Sequence, residues 1–156
     1  MKLAALLITL PLVAACDVHA KKPADHDENV SINAGESGQV SFNLPFANGQ
    51  VKLPEGTMEN AKFDIDGVKL MPGATMTGFN LNAGDKGATV HFSFKAPASP
   101  DAVRAYFADE FKKQGVEAAT SGTGVTGRSK EGDAFVIDVQ PAAQGSTGTI
   151  AVQSKD

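Results

Sequence analysis

Apolar and polar residues alternate over most of the chain after Val30. Val40, Phe42 and Leu44 are separated by single polar residues, and the pattern recurs over residues 90–94. A period of two places successive side chains on opposite faces of a β-strand, so each strand has one apolar face. Several such strands joined by short turns predict an antiparallel sheet, which must bury its apolar face against another layer.

Short turn signals separate the predicted strands. Asn48-Gly49 lies between two alternating runs, and Asn-Gly supplies the positive φ angles that a tight hairpin turn needs. Pro45 lacks a backbone donor, so its strand is expected at a sheet edge or interrupted there. Residues 62–70 continue the alternation around Gly67 and predict two further short strands.

One amphipathic helix is predicted over Ser99–Gln114. Its first residue is a favourable N-cap and is followed by proline, and Gly115 suits the end of a helix. An apolar stripe recurs every fourth residue, at Val103, Phe107 and Phe111. A single helix with one apolar stripe must pack on the sheet, so the predicted fold class is α+β, an antiparallel sheet or meander with one helix on one face.

The first sixteen residues have the pattern of an export signal. Lys2 precedes an apolar run over residues 3–15, which is shorter than the ~20 residues of a spanning helix. Val13-Ala14-Ala15-Cys16 resembles the lipobox of bacterial lipoprotein precursors. The resemblance implies cleavage before Cys16, a lipid on its thiol and a mature chain that begins there. The alternative is an ordinary secretory signal, cut after Val18-His19-Ala20.

These features divide the chain into a lipoprotein signal peptide (1–15), a flexible polar tether (16–38) and one α+β domain (39–156). Asp17 directly follows the lipidated cysteine. In the best-known lipoprotein sorting system, aspartate at this position retains a lipoprotein in the inner membrane. The resemblance therefore favours the inner over the outer membrane, with the domain facing the periplasm.

No catalytic, metal or cofactor site is predicted. The tether contains histidines and carboxylates, which are expected to be solvated charges, at His19, Asp25, His26, Asp27 and Glu28. Asp64-Ile65-Asp66-Gly67 lacks the later ligands of a calcium loop. His91 falls on the polar face of its predicted strand.

Residues Gly122–Gly127 match the pattern GxGxxG of dinucleotide-binding loops, but no helix pattern follows them, so a glycine-rich hairpin is predicted. No nucleophile motif is present, and an enzyme is not expected.

Residues 90–152 are similar to the small β-α-β-β, helix-grip modules of bacterial envelope lipoproteins, including those of an outer-membrane assembly lipoprotein. The similarity rests on Tyr106-Phe107 within the predicted helix and on Gly115 directly after it. Val116 replaces the tryptophan that is frequent in those modules. The resemblance implies a helix packed on a curved sheet and implies no site residues.

The amino-acid composition narrows the range of partners that this chain is expected to bind. Without Lys2 the chain has 13 Lys and Arg against 18 Asp and Glu and no Trp, so nucleic acid is not an expected partner. The predicted function is a scaffold held to the membrane through Cys16, contacting an envelope protein. The alternative is a periplasmic carrier of an apolar ligand. A cavity would favour the carrier and a filled core with an exposed apolar patch the scaffold; the cavity would be lined by Phe92, Phe94, Phe107, Phe111 and Ile137.

Overall fold

The structure, a computed structural model, describes residues 29–58, 61–85 and 87–154. These residues form nine strands and one helix. In chain order they are β1 (Val30–Ala34), β2 (Gln39–Leu44), β3 (Ala47–Lys52), β4 (Thr75–Gly84), β5 (Gly87–Ala96), α1 (Pro100–Lys113), β6 (Glu117–Ser121), β7 (Gly124–Arg128), β8 (Ala134–Pro141) and β9 (Ser146–Gln153). A sheet with one helix packed against it agrees with the predicted α+β class.

The nine strands form one antiparallel sheet in the order β3-β2-β1-β4-β5-β9-β8-β7-β6. The sequence predicts a meander, and the sheet departs from one at two places. Strand β4 lies beside β1, and β9 lies between β5 and β8. The last strand therefore joins the part of the sheet formed by β1–β5 to the part formed by β6–β8.

Helix α1 has the bounds that the sequence predicts. Ser99 is its N-cap, with an extended backbone and a hydroxyl that accepts a hydrogen bond from the backbone N–H of Ala102 at 3.4 Å. Gln114 is the C-cap, and Gly115 adopts φ 71°, which lets the chain leave the helix. Because these signals act within a few residues, the sequence alone locates both helix ends.

Replacing Ser99 by Ala should lower the free energy of unfolding by about 1 kcal/mol, because the N–H of Ala102 loses its acceptor. A urea titration followed by circular dichroism measures the change. Ser99→Asp keeps an acceptor at the N-cap and should unfold near the wild-type midpoint. Equal losses in the two variants would show that the cap is not the cause.

The apolar stripe of α1 packs on strands β6–β9. Val103, Phe107 and Phe111 are completely buried. The Phe111 ring stacks on that of Phe135 in β8, with the centroids 4.5 Å apart. Each large apolar side chain that is fully buried in this way contributes roughly 1.5–3 kcal/mol. The helix thereby supplies the second layer over this half of the sheet.

Residues 61–74, which we call the covering segment, do not form the two strands that the sequence predicts. Asp66 and Gly67 have φ angles of 54° and 90°, so the chain turns tightly here, and the sole bridge within the segment joins Ile65 to Val68. Most of the alternating apolar residues are nevertheless buried, with Val68 completely inaccessible and Leu70 half-buried. The alternation of apolar and polar residues here belongs to an irregular segment that packs beside the helix, and not to a pair of strands.

The covering segment contacts both the sheet and the helix. The Phe63 ring packs edge-on against Phe92 of β5, with the centroids 5.3 Å apart. The Tyr106 hydroxyl on α1 donates a hydrogen bond to the carbonyl of Lys69 at 3.3 Å. Partial burial, followed by the charge of Glu110, raises the pKa of Tyr106 above its ordinary value. The segment and the helix therefore form one covering layer.

In three places the ring of a phenylalanine lies directly opposite a glycine on the neighbouring strand. A Cβ atom added to any of these glycines would collide with the ring. The glycine leaves room for the ring, and the ring shields the bare backbone from water. The pairs are Phe42 with Gly49, Phe94 with Gly148, and Phe135 with Gly127.

The β2–β3 hairpin turns at Pro45-Phe46. The predicted turn residues Asn48-Gly49 instead lie inside β3, so that prediction was wrong. Gly49 is needed opposite the ring of Phe42, where a Cβ atom would lie 2.8 Å from the ring. Pairing across the sheet thus outweighs the local preference of Asn-Gly for a turn. Pro45 interrupts the strand, as its missing N–H predicts.

The sheet begins at Val30, inside the segment 16–38 that the sequence predicts as tether. Strand β1 pairs with β2 on one side and β4 on the other. Val30, Ile32 and Ala34 alternate with polar residues. This short alternating run forms a strand because β2 and β4 pair with it on its two sides. Residues 30–38 thus belong to the folded domain, and its boundary moves from 39 to 30.

Candidate functional site

The apolar face of the sheet extends past the helix onto β1–β3. Residues paired across neighbouring strands lie on the same face, and this pairing aligns apolar side chains from β3 through β4 to the core. We call the part of this face on β1–β4 that lies outside the main core the open face. It is formed by Val30, Ile32, Val40, Phe42, Leu44, Val51 and Leu81.

Within the described residues, the open face has no covering layer comparable to the helix. Its side chains remain half-buried, and Val51 is 49% exposed. On the same face beneath the helix, by contrast, Ile137 and Ile150 are completely buried. Apolar surface gains about 25 cal/mol for each Å² removed from water, so the open face favours contact with another molecule.

The space between the helix and the sheet is filled by side chains. Phe94, Phe107 and Phe111 are at most 1% exposed, and Ile137 is completely buried. The rings contact one another, with centroids 6.0 Å apart for Phe94 and Phe107 and 6.3 Å for Phe107 and Phe111. Of the five residues proposed to line a cavity, Phe92 alone is half-buried. The interior has the packing of a core.

A cleft of about 330 Å³ lies between the covering segment and the β7–β8 turn. Its floor is apolar and its rim carries carboxylates, among them Asp64 and Asp66. Each of these two caps a backbone N–H at 2.8 Å, that of Gly67 for Asp64 and that of Lys130 for Asp66. Among the described residues, no three His, Cys, Asp or Glu side chains are grouped to hold a metal ion. The two aspartates therefore order the turns around them.

The other face of the sheet is polar. His91 is exposed there, opposite Asn80 on β4, and it borders a shallow depression. The amides near it bond one another: Asn80 donates to Asn33, and Asn82 donates to Asn80 at 2.6 Å. These side chains satisfy one another in a ladder across β1 and β4, which is an arrangement typical of a solvated sheet face.

The glycine-rich motif forms the β6–β7 hairpin that its context predicts, with Gly122 at φ 55° in the turn. Thr123 in this turn donates a hydrogen bond to Asp138 on β8, and Gln140 donates a second at 2.9 Å. These bonds lower the pKa of Asp138 below its ordinary value. These hydrogen bonds fix the β6–β7 hairpin to the neighbouring strand β8. The motif is not followed by a helix whose N-terminus could bind phosphate.

The predicted lipidation residue Cys16 and the predicted sorting residue Asp17 lie outside the described residues, as does the tether with its histidines and carboxylates. Within the described ranges, no helix is long and apolar enough to cross a membrane.

The sequence does not distinguish the open face from the rest of the sheet, because its strands alternate apolar and polar residues as the covered strands do. One signal was available, since residues 39–51 contain no charge.

A comparison with protein-family models, curated proteins and solved structures found no significant match to this chain. The resemblances to the lipobox and to the helix-grip modules therefore stay predictions.

Proposed function

We propose that the protein is a lipid-anchored scaffold of the cell envelope that binds another envelope protein through the open face. The anchor is the lipid that the lipobox implies on Cys16. The observation that supports a binding role is the contrast between the filled interior under α1 and the uncovered apolar face on β1–β3. A carrier of an apolar ligand would need a cavity where this chain packs its aromatic rings.

The edge strand β3 adds a second means of contact. It stands at the end of the strand order, so one row of its backbone N–H and C=O groups has no partner strand among the described residues. Natural sheets protect such edges with proline or charge, and β3 carries only Lys52 at its last position. An extended partner segment can pair with this edge while its apolar side chains continue the open face.

Photo-cross-linking from two matched valines tests the proposal. Val51 lies on the open face at 49% exposure, and Val136 lies on the polar face of β8 at 46% exposure. A photoreactive amino acid at position 51 should give a defined protein adduct in isolated membranes, whereas position 136 should give none. Equal adducts at both positions, or none at position 51, would refute a binding surface on the open face.

The anchor is tested in the same cells. Intact-mass analysis should find a lipid on wild-type protein that starts at Cys16. Cys16→Ala should lose that mass and the adduct from position 51, because the domain is no longer concentrated at the membrane. A soluble protein that starts at Lys21 without lipid would instead identify the ordinary secretory signal.

A further inference from the structure

Phe46 is the most exposed large apolar side chain among the described residues, at 86%. It occupies the two-residue turn between β2 and β3, next to Pro45. Leu44, the last residue of β2, belongs to the open face. The apolar surface of this half of the sheet therefore continues to the tip of the hairpin, where a phenylalanine projects into solvent.

Strand register places this tip at the end of the sheet where the preceding chain enters. Ser31, near the start of β1, lies opposite Asn43, which directly precedes Leu44 and the turn. On the other side of β1, Val30 lies opposite Ala83, next to the β4–β5 turn. Asn29 and the Phe46 tip therefore lie at the same end of β1–β5.

The length of the preceding segment keeps this end close to the proposed anchor. Residues 16–28 are thirteen residues, which span at most about 45 Å when fully extended. Because the chain leaves the domain beside the Phe46 tip, a lipid on Cys16 brings this end of the sheet toward the bilayer. The segment between Cys16 and the domain therefore does not have to run around the domain to reach the membrane.

The surface at the tip has the chemistry of a membrane interface contact. Residues 29–35 and 37–51 contain no charged side chain, and Asp85 in the β4–β5 turn at the same end is exposed, so insertion confined to the Pro45-Phe46 turn would desolvate no ion. The absence of basic residues argues for insertion by apolar contact, without attraction to anionic lipids. A lipid chain combined with a second membrane contact holds a protein more firmly than a single acyl chain does.

We propose that the Pro45-Phe46 turn inserts into the interface of the bilayer to which Cys16 is anchored, so that β1–β5 stand with this end on the membrane. The inference rests on the lipid anchor of the proposed function. In this orientation the β3 edge and the remainder of the open face point sideways, where a membrane-bound partner can reach them.

A fluorescent label at position 46 tests the insertion. The lipidated full chain carrying Phe46→Cys has one free thiol, because the Cys16 thiol is blocked by lipid. It is labelled with an environment-sensitive nitrobenzoxadiazole dye and reconstituted into phosphatidylcholine vesicles, with or without nitroxide-labelled lipid. Val136→Cys, labelled in the same way, is the matched control, since Val136 is an exposed apolar residue on β8.

We expect a blue-shifted emission that nitroxide lipid quenches for position 46, and an unshifted, unquenched emission for position 136. Water-like emission at both positions would overturn the inference. A blue shift at position 46 that nitroxide lipid leaves unquenched would also overturn it, because it would indicate contact with a second copy of the protein. Loss of the anchor is recognised separately by the absence of the lipid mass, and that result would refute both proposals. An unlipidated chain takes up two dyes if it keeps Cys16 and one dye if it starts at Lys21.

Discussion

Replacing Phe107 by Asp is expected to abolish the cooperative unfolding transition of the domain. Phe107 is completely buried and contacts the rings of Phe94, Tyr106 and Phe111. A carboxylate there has no partner and loses its hydration, which costs several kcal/mol in addition to the lost packing. Because a domain of this size is stabilised by about 5–15 kcal/mol in total, this loss removes most of the stability.

Ala105→Asp is the matched control for that variant. Ala105 lies on the exposed side of the same helix, so the same charge is introduced without burial. Thermal unfolding followed by circular dichroism should show a cooperative transition near the wild-type midpoint for Ala105→Asp and none for Phe107→Asp. A cooperative transition of Phe107→Asp near the wild-type midpoint would contradict the packing of the helix on the sheet.

Gly148→Val is the second substitution with a large expected effect. Gly148 on β9 lies directly beneath the Phe94 ring, and even a Cβ atom there would collide with the ring and lie 2.8 Å from the carbonyl oxygen of Asp138. Both neighbours are fixed, one by the core and the other by the sheet. We expect a loss of about 3 kcal/mol, at the upper end of the range for an overpacked core.

Gly35→Val is the control for the glycine substitution. A Cβ atom at Gly35 meets no atom within 4 Å, so the same side chain is added without collision. Chemical denaturation should show a midpoint near wild type for Gly35→Val and a strongly lowered midpoint for Gly148→Val. If Gly148→Val retained the wild-type midpoint, the close contact between Phe94 and β9 would be disproved.

The sequence predicts those elements whose signals are local. The N-cap, the proline after it and the terminal glycine of the helix act within one turn, so the predicted Ser99–Gln114 agrees with the observed helix and its two caps. The alternation over residues 90–94 likewise predicts a strand, and β5 forms there. In each case the residues that form the element also carry the information that delimits it.

The elements that were mispredicted depend on contacts with other elements. Gly49 lies in a strand because it pairs with Phe42 on β2. Residues 62–70 form an irregular segment that packs against Phe92 on β5 and Tyr106 on α1. The open face shows the same limit. Phe42 alternates with polar residues as Phe94 does, yet only Phe94 has a helix above it. Which strands receive a second layer is decided by topology, and a period of two carries no information about topology.

The position of β9 between β5 and β8 has a consequence for the order in which the chain can fold. The sheet is joined only by its last strand, so during synthesis β5 keeps an unpaired edge until Ser146–Gln153 has been made. Contacts of such long sequence separation form slowly. The strand order thus makes completion of the sheet depend on the last strand to be synthesised, so the two parts of the sheet cannot join while the chain is still growing.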